Sequence, residues 1–272
     1  MLISSATNPR IKHARKLLRQ RKFREQHGEF VVEGVQAVAE ALAQGWRLRQ
    51  VYYHDESVRS EKALQVLDEL DAHLCIELTR PVLTRLSERP DNPSELIAVI
   101  ASPRDDLARV PVSNDMLAVV LEEPRDPGNL GTVIRTADAL GVGGVVLLGP
   151  TVDLYGPKTV RATMGSLFAV PVAHVPDVDG LAGWITRIRA EVEELRVVAT
   201  VARDAGAIHE QDFRGATLVV VGNERRGVSD ELRAACDTAA TIPMSGSAES
   251  LNSAVATSIV LYEACRQRAA RG

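Results

Sequence analysis

Three polar loops carry the side chains best suited to chemistry, and each follows an apolar run. The first is Asp126-Pro127-Gly128-Asn129-Leu130-Gly131-Thr132-Val133-Ile134-Arg135, the second Gly222-Asn223-Glu224-Arg225-Arg226-Gly227-Val228-Ser229, and the third Ile242-Pro243-Met244 leading into Ser250-Leu251-Asn252. In open α/β sheets, ligands bind beyond the carboxyl ends of the strands, so loops in these places can meet in one pocket. None of them contains Gly-x-Gly-x-x-Gly, which argues against a Rossmann dinucleotide site. The histidines at 13, 27, 54, 73, 174 and 209 form no ligand pairs, and Cys75, Cys236 and Cys265 lack metal-type spacing, so no metal is expected.

The elements that must position these loops can be read from periodicity. Residues 116–121 form a wholly apolar run, as do most of 196–201 and 216–221, the pattern of central parallel strands. A helix is expected to follow the first loop to Leu140, with Gly141 ending it. The third loop turns into a helix reaching about Arg268, with Ser250 as the expected N-cap. Leu251, Val255, Ile259 and Tyr262 recur at helical spacing, and Ala254, Ala256, Val260 and Leu261 make the other side apolar, so this helix is expected to be largely buried. Its start is either a ligand-contacting corner or a capped core helix, two readings this stretch alone leaves open.

Upstream, Asn8-Pro9 marks a helix start, and Ile11, Ala14 and Leu18 give that helix a narrow apolar stripe. Strands are expected at 30–32, 48–54, 74–78 and 95–101, alternating with helices at 34–44, 58–70 and 81–86. The expected organisation is therefore a basic helical arm over 1–27, an α/β domain over 28–101, a polar linker over 102–115 containing Pro103 and Pro111, and a second α/β domain over 116–272.

The net charge of −4 hides an asymmetry. Residues 1–27 carry Arg10, Lys12, Arg15, Lys16, Arg19, Arg21, Lys22 and Arg24 against Glu25 alone, a net +7 that leaves −11 for the rest. A basic arm on an acidic body points to a polyanionic partner, with a solvated charged helix as the bland alternative. Aromatic residues are only 4% of the chain, so base stacking is not expected to be the main binding mode. No apolar run is long enough to span a membrane, and the N-terminus is too basic and polar for a signal peptide. With scattered cysteines read as reduced thiols, this points to a cytoplasmic protein with no membrane partner.

Taken together, Asn129-x-Gly131-x-x-x-Arg135, Gly222-Asn223-Glu224-x-x-Gly227-x-Ser229, and Ile242-Pro243-Met244 with Ser250-Leu251-Asn252 resemble the three motifs of the SpoU/TrmH branch of the SPOUT RNA methyltransferases. Phe30-Val31-Val32-Glu33-Gly34 resembles the start of that family's substrate-binding domain, itself similar to ribosomal protein L30e. The stretch from Lys158 to Pro171, with Arg161, Met164-Gly165-Ser166 and Phe168, resembles members acting on large-subunit ribosomal RNA. The resemblance implies an N-terminal L30e-like α/β domain and a C-terminal SPOUT domain with a parallel sheet and a deep trefoil knot. It also implies a homodimer with active sites at its interface, and transfer of a methyl group from S-adenosylmethionine to a ribose 2′-hydroxyl, in 23S ribosomal RNA first. A transfer RNA substrate, or an RNA-binding assembly factor without catalysis, are the alternatives.

The roles implied by the resemblance fall on particular residues. Arg135 activates or orients the 2′-hydroxyl; because a guanidinium is a poor base, steadying an alkoxide or holding the adjacent phosphate suits it better. Asn129 holds the Arg135 loop or the ribose, or caps its helix. Glu224 pairs with Arg135 or orients substrate, or else forms a surface ion pair with Arg225 or Arg226. Ser250 and Asn252 are the polar pair expected nearest the transferred methyl. Gly222 allows close approach of the cofactor, Ile242 and Leu251 wall the adenine, Met244 lies in the same loop, and the backbone of Thr200, Val201 and Ala202 completes the cradle. RNA phosphates are assigned to Arg10, Lys12, Arg15, Lys16, Arg19, Arg161 and Arg225. Ser253-Ala254 stands where the family more often has Val-Ser.

Overall fold

The structure, a computed structural model, describes residues 2–270. The chain forms two compact units, Met1–Arg104 with Asp153–Ala169, and Asp105–Val152 with Val170–Gly272. The first unit contains β1 (Leu2–Ile3), α1 (Pro9–Arg19), α2 (Arg21–His27), β2 (Glu29–Glu33), α3 (Val35–Ala43), β3 (Leu48–Tyr53), α4 (Glu61–Glu69), β4 (Cys75–Leu78), α5 (Arg80–Leu86) and β5 (Leu96–Ala101). Its strands make a mixed sheet in the order β1-β4-β3-β5-β2, with β2 and β3 antiparallel to β5. Asn8 caps α1 through the Arg10 amide, with Pro9 at the first helical position.

The basic arm is not a separate appendage. Ile11, Ala14 and Leu17 are fully buried against a core containing Tyr52, Leu78 and Ile97, so α1 belongs to the first unit. Leu17 rather than Leu18 completes the buried stripe, and the expected single helix breaks at Gln20 into α1 and α2. Arg24, counted among the arm's cations, is buried and paired with Asp153. The segment containing Asp153 lies in sequence between two strands of the second unit, yet it packs with the first. Tyr155 and Phe168 join an aromatic cluster with Phe30 and Trp46, and the Trp46 indole donates to the Phe168 carbonyl at 3.0 Å.

The second unit runs β6 (Leu117–Glu122), α6 (Pro127–Ala139) and β7 (Gly144–Leu148). The chain then supplies α7 (Pro157–Ala162) to the first unit and returns as β8 (Val172–Val175), α8 (Val178–Glu191), β9 (Leu195–Val201), β10 (Gly206–Ala207), β11 (Ala216–Val221), α9 (Asp230–Ala234), β12 (Thr238–Thr241) and α10 (Ser253–Ala269). Its seven strands are all parallel, in the order β10-β12-β9-β11-β6-β7-β8. Every residue of β11, and Leu117–Leu121 of β6, is buried, as the apolar runs required. Residues 168 and 169 form a turn, and β8 starts at Val172.

Helix α10 departs most from expectation. Asn252, not Ser250, is its N-cap and accepts from the amides of Ala254 and Val255. Its buried face is Ala254, Thr257, Val260, Leu261 and Ala264, whereas Leu251, Val255 and Tyr262 are exposed, Tyr262 at 62%. Apolar residues all round a helix give no preference for which side faces the core. Helix α10 packs on α6, with the Thr136 and Ser258 hydroxyls 3.0 Å apart.

Near the end of α10, the buried Glu263 carboxylate accepts from the Arg266 guanidinium and the Gln267 amide at 2.8 Å. The Arg266 contact leads in pulling its pKa from 4.5 to about 2. A depressed folded-state pKa stabilises above the unfolded value and is lost as pH falls through the folded one. Glu263→Gln is expected to lower stability by about 1–3 kcal/mol at neutral pH. Urea melts should show the gap between variant and wild type closing as pH falls from 4.5 toward 2.

Candidate active site

Four adjacent parallel strands, β12, β9, β11 and β6, end on one edge of the sheet, and the loops after β12, β9 and β11 form a cleft of about 420 Å³. Its lining includes Thr200, Val201 and Ala202 after β9, Gly222 to Val228 after β11, and Ile242, Met244, Ser250 and Leu251 between β12 and α10. Every residue assigned to the cofactor from the sequence lines this cleft except Asn252, which stands beside it. Volume and lining suit an organic molecule with an apolar part, held between Ile242 and Leu251 and bordered by strand-end backbone.

A polar network closes one side. The Asn252 carboxamide donates to the Asn129 side-chain oxygen at 3.0 Å, and Asn129 donates in turn to Glu224 at 3.3 Å. The Ser253 hydroxyl lies 3.4 Å from the same Glu224 oxygen. All three sequence-distant loops therefore meet through side chains. Asn129 is free to do this because Asp126 caps α6, accepting from the Asn129 backbone amide at 2.8 Å. Glu224 makes no ion pair with Arg225 or Arg226 among the described residues; Arg226 instead pairs with Glu123 at 2.7 Å.

Two acidic residues that sequence reasoning passed over hold the second loop. The Glu122 carboxylate accepts from the Ser229 amide at 2.9 Å, and the Glu123 carbonyl accepts from the Asn223 side chain at 3.0 Å. Arg125, with help from Arg226, keeps the Glu123 carboxyl below the ordinary carboxylate range. Glu123 has a φ of 46°, a left-handed conformation unusual for its type. The only signal in the sequence was an acidic pair directly after an apolar strand.

Gly222 lines the cleft and also meets a constraint of its own loop. A Cβ there would lie 2.0 Å from the Gly227 carbonyl carbon and 2.1 Å from the Val228 nitrogen. The glycine lets the loop fold back on its own backbone, where Asn223 and Gly227 exchange hydrogen bonds at 3.0 and 2.8 Å.

Arg135 does not line the cleft. It is exposed on α6, six residues past Asn129 and so about 9 Å farther along the axis. Neither Glu224 nor any other described residue bonds or pairs with it. Arg225 is exposed at the cleft rim. In the first unit Arg10, Lys12, Lys16 and Arg19 are exposed, Arg15 is half-buried, and Arg161 bonds to Glu88 at 3.2 Å. Arg161 lines a separate cleft of about 460 Å³ formed with Gly34 to Ala37 and Arg89 to Glu95.

This combination defines an α/β protein whose ligand cleft and polar network sit at the carboxyl edge of a parallel sheet. Residues 116–262 match the SpoU rRNA Methylase family, and residues 8–98 match the MRM3-like substrate binding domain. The chain belongs to the SpoU rRNA methylase family. It is 38% identical to a 23S rRNA (uridine(2479)-2′-O)-methyltransferase of Streptomyces viridochromogenes over 97% of this chain and 92% of that protein. It is 31% identical to the 23S rRNA (guanosine(2553)-2′-O)-methyltransferase RlmP of Bacillus subtilis, over 96% of this chain and 97% of that one. The crystal structure of the SpoU methyltransferase AviRb from S. viridochromogenes in complex with the cofactor AdoMet superimposes with a TM-score of 0.88 at 38% identity, covering 96% of this chain and 98% of that one.

Asn252 both caps α10 and donates to Asn129, and two substitutions separate these functions. Asn252→Ala is expected to lower stability by about 1 kcal/mol through the lost cap. Asn252→Asp keeps a cap acceptor but turns a carboxylate toward the Asn129 oxygen, so it should restore the cap and still melt below wild type through the lost donor. Thermal unfolding of the two variants checks this.

Proposed function

We propose that this protein is an S-adenosylmethionine-dependent RNA methyltransferase that methylates a ribose 2′-hydroxyl in 23S ribosomal RNA and works as a homodimer. The observation that carries the reading is the Asn252–Asn129–Glu224 network, which joins the three motif loops at the side of an apolar cleft. The full-length relatives described above are named as 23S rRNA enzymes, which favours ribosomal over transfer RNA.

S-adenosylmethionine supplies a methyl carbon already activated as an electrophile by the attached sulfonium. The protein's task is then to hold the cofactor, place the ribose oxygen, and stabilise that oxygen as it loses its proton. Ile242 and Leu251 give apolar walls, and Thr200 to Ala202 offer backbone edges for polar recognition. Asn129, fixed between Asn252 and Glu224, presents a carboxamide of set orientation at the cleft mouth, where it can hold a ribose hydroxyl.

Arg135 supports the dimer. It projects from α6 into solvent, while Val255 and Tyr262 on the adjoining α10 expose 47% and 62% of their surface. Apolar residues exposed in a row beside an unpaired guanidinium fit a helix face covered by a second copy. Covering it brings Arg135 of one copy toward the cleft of the other, where a guanidinium stabilises a developing alkoxide or binds the neighbouring phosphate. The knotted C-terminus implied by the family belongs to the same reading. It is supported by α10 packing on α6 and β11 although β12, just before it, pairs on the far side of β9.

Purified protein should transfer a tritiated methyl group from S-adenosylmethionine to unmodified 23S ribosomal RNA. Arg135→Ala should lower turnover at least about a hundredfold, the scale of losing one charge-stabilising group, with cofactor affinity by calorimetry unchanged. Wild-type turnover in that variant would remove Arg135 from the mechanism. Tyr262→Glu should shift sedimentation from dimer to monomer and abolish transfer with it; a variant that sediments like wild type would remove this face from the interface.

A further inference from the structure

Three rings lie together where α1 meets α2. Phe23 and His27 stack with centroids 3.9 Å apart at 32°, and His13 meets both edge-on at 5.2 Å. Each ring is fixed by a polar contact or a cation. His13 Nε2 donates to the Glu29 carboxylate at 2.7 Å. His27 Nδ1 donates to the Phe23 carbonyl at 2.9 Å, and Lys16 Nζ sits 5.2 Å from the Phe23 centroid. His27 is the last residue of α2, and Gly28, at φ 58°, turns the chain away at once. The imidazole therefore stays exposed, tilted against a phenyl ring. Phe23 packs in part against the core, but the exposed imidazole on it adds little to that packing.

Its surroundings are strongly cationic. Arg10, Lys12, Lys16, Arg19 and Lys22 are exposed on the same two helices, and none forms an ion pair among the described residues. The nearby carboxylates are already engaged: Glu25 by Arg21, and Glu29 by His13 and Arg49. The patch therefore combines an open aromatic face with uncompensated positive charge, the two features that hold single-stranded nucleic acid. Duplex RNA offers no base face to such a ring, whereas a loop or bulge does.

We propose that the His27–Phe23 stack is a platform for one unpaired base of the RNA substrate, with the α1–α2 cations holding the flanking phosphates. The proposal rests on the RNA methyltransferase reading and adds to it a second point of engagement within the first unit. It selects for an unpaired nucleotide, which phosphate contacts alone cannot do.

The test uses the full chain and a short fluorescent single-stranded RNA, the same RNA as a duplex, and a version with abasic sites. His27→Ala should weaken single-strand binding about five- to hundredfold, the scale of one lost base stack. Phe23→Leu, which keeps an apolar filler under the imidazole, should do the same in part. Neither should alter duplex or abasic binding, nor the slope of log affinity against log salt, because no phosphate contact is lost. Lys16→Ala should reduce that slope. Equal losses on intact and abasic RNA, or no loss in either ring variant, would overturn the platform. Wild-type protein that methylates ribosomal RNA alongside an unaffected His27→Ala removes the platform alone. Wild-type protein that neither binds nor methylates RNA removes both readings.

Discussion

Parallel pairing of β12, β9, β11 and β6 is the constraint on which the site depends. Because all four strands run the same way, their carboxyl ends lie on one edge, and residues as far apart as 129 and 252 become neighbours. An antiparallel arrangement of the same strands would have divided these loops between two edges. The buried faces of β6 and β11 hold the arrangement, and almost every side chain in them is an aliphatic one that the sheet interior requires. The chemistry thus rests on strands that take no part in it.

Within that frame the site is tied together by small local devices rather than by strong single contacts. Asp126 caps α6 and so frees the Asn129 side chain for the network. Gly222 lets the second loop double back, and Glu122 and Glu123 anchor it to the loop after β6. Asn252 ends the third loop by capping α10 while its other polar atom reaches Asn129. One carboxamide thereby couples a helix start to a binding site. The residues that line the cleft are half-buried or exposed, apart from Val221 at the end of β11.

The departures from the sequence-based expectation share a cause. Helix α10 was expected to be largely buried, yet Val255 and Tyr262 face solvent while Val260, Leu261 and Ala264 are buried. Arg24 was counted with the free cations, and it is buried on an aspartate more than a hundred residues away. Residues 153–169 sit between strands of the second unit in sequence and pack in the first. In each case the residue type was read correctly, but its partner was distant in sequence.

The sequence by itself determined the α/β alternation, the apolar central strands, the three loops and, through their motifs, the family. These are local properties: periodicity fixes an element, and a loop's residue types fix what it can bind. Only the tertiary structure decided which face of a uniformly apolar helix is buried, which cations stay free, that Asp126 rather than Asn129 caps α6, and that Arg135 does not line the cleft. These depend on which surfaces and polar groups come within a few ångströms of each other, and strand order and helix packing set that, not the neighbouring residues in the chain.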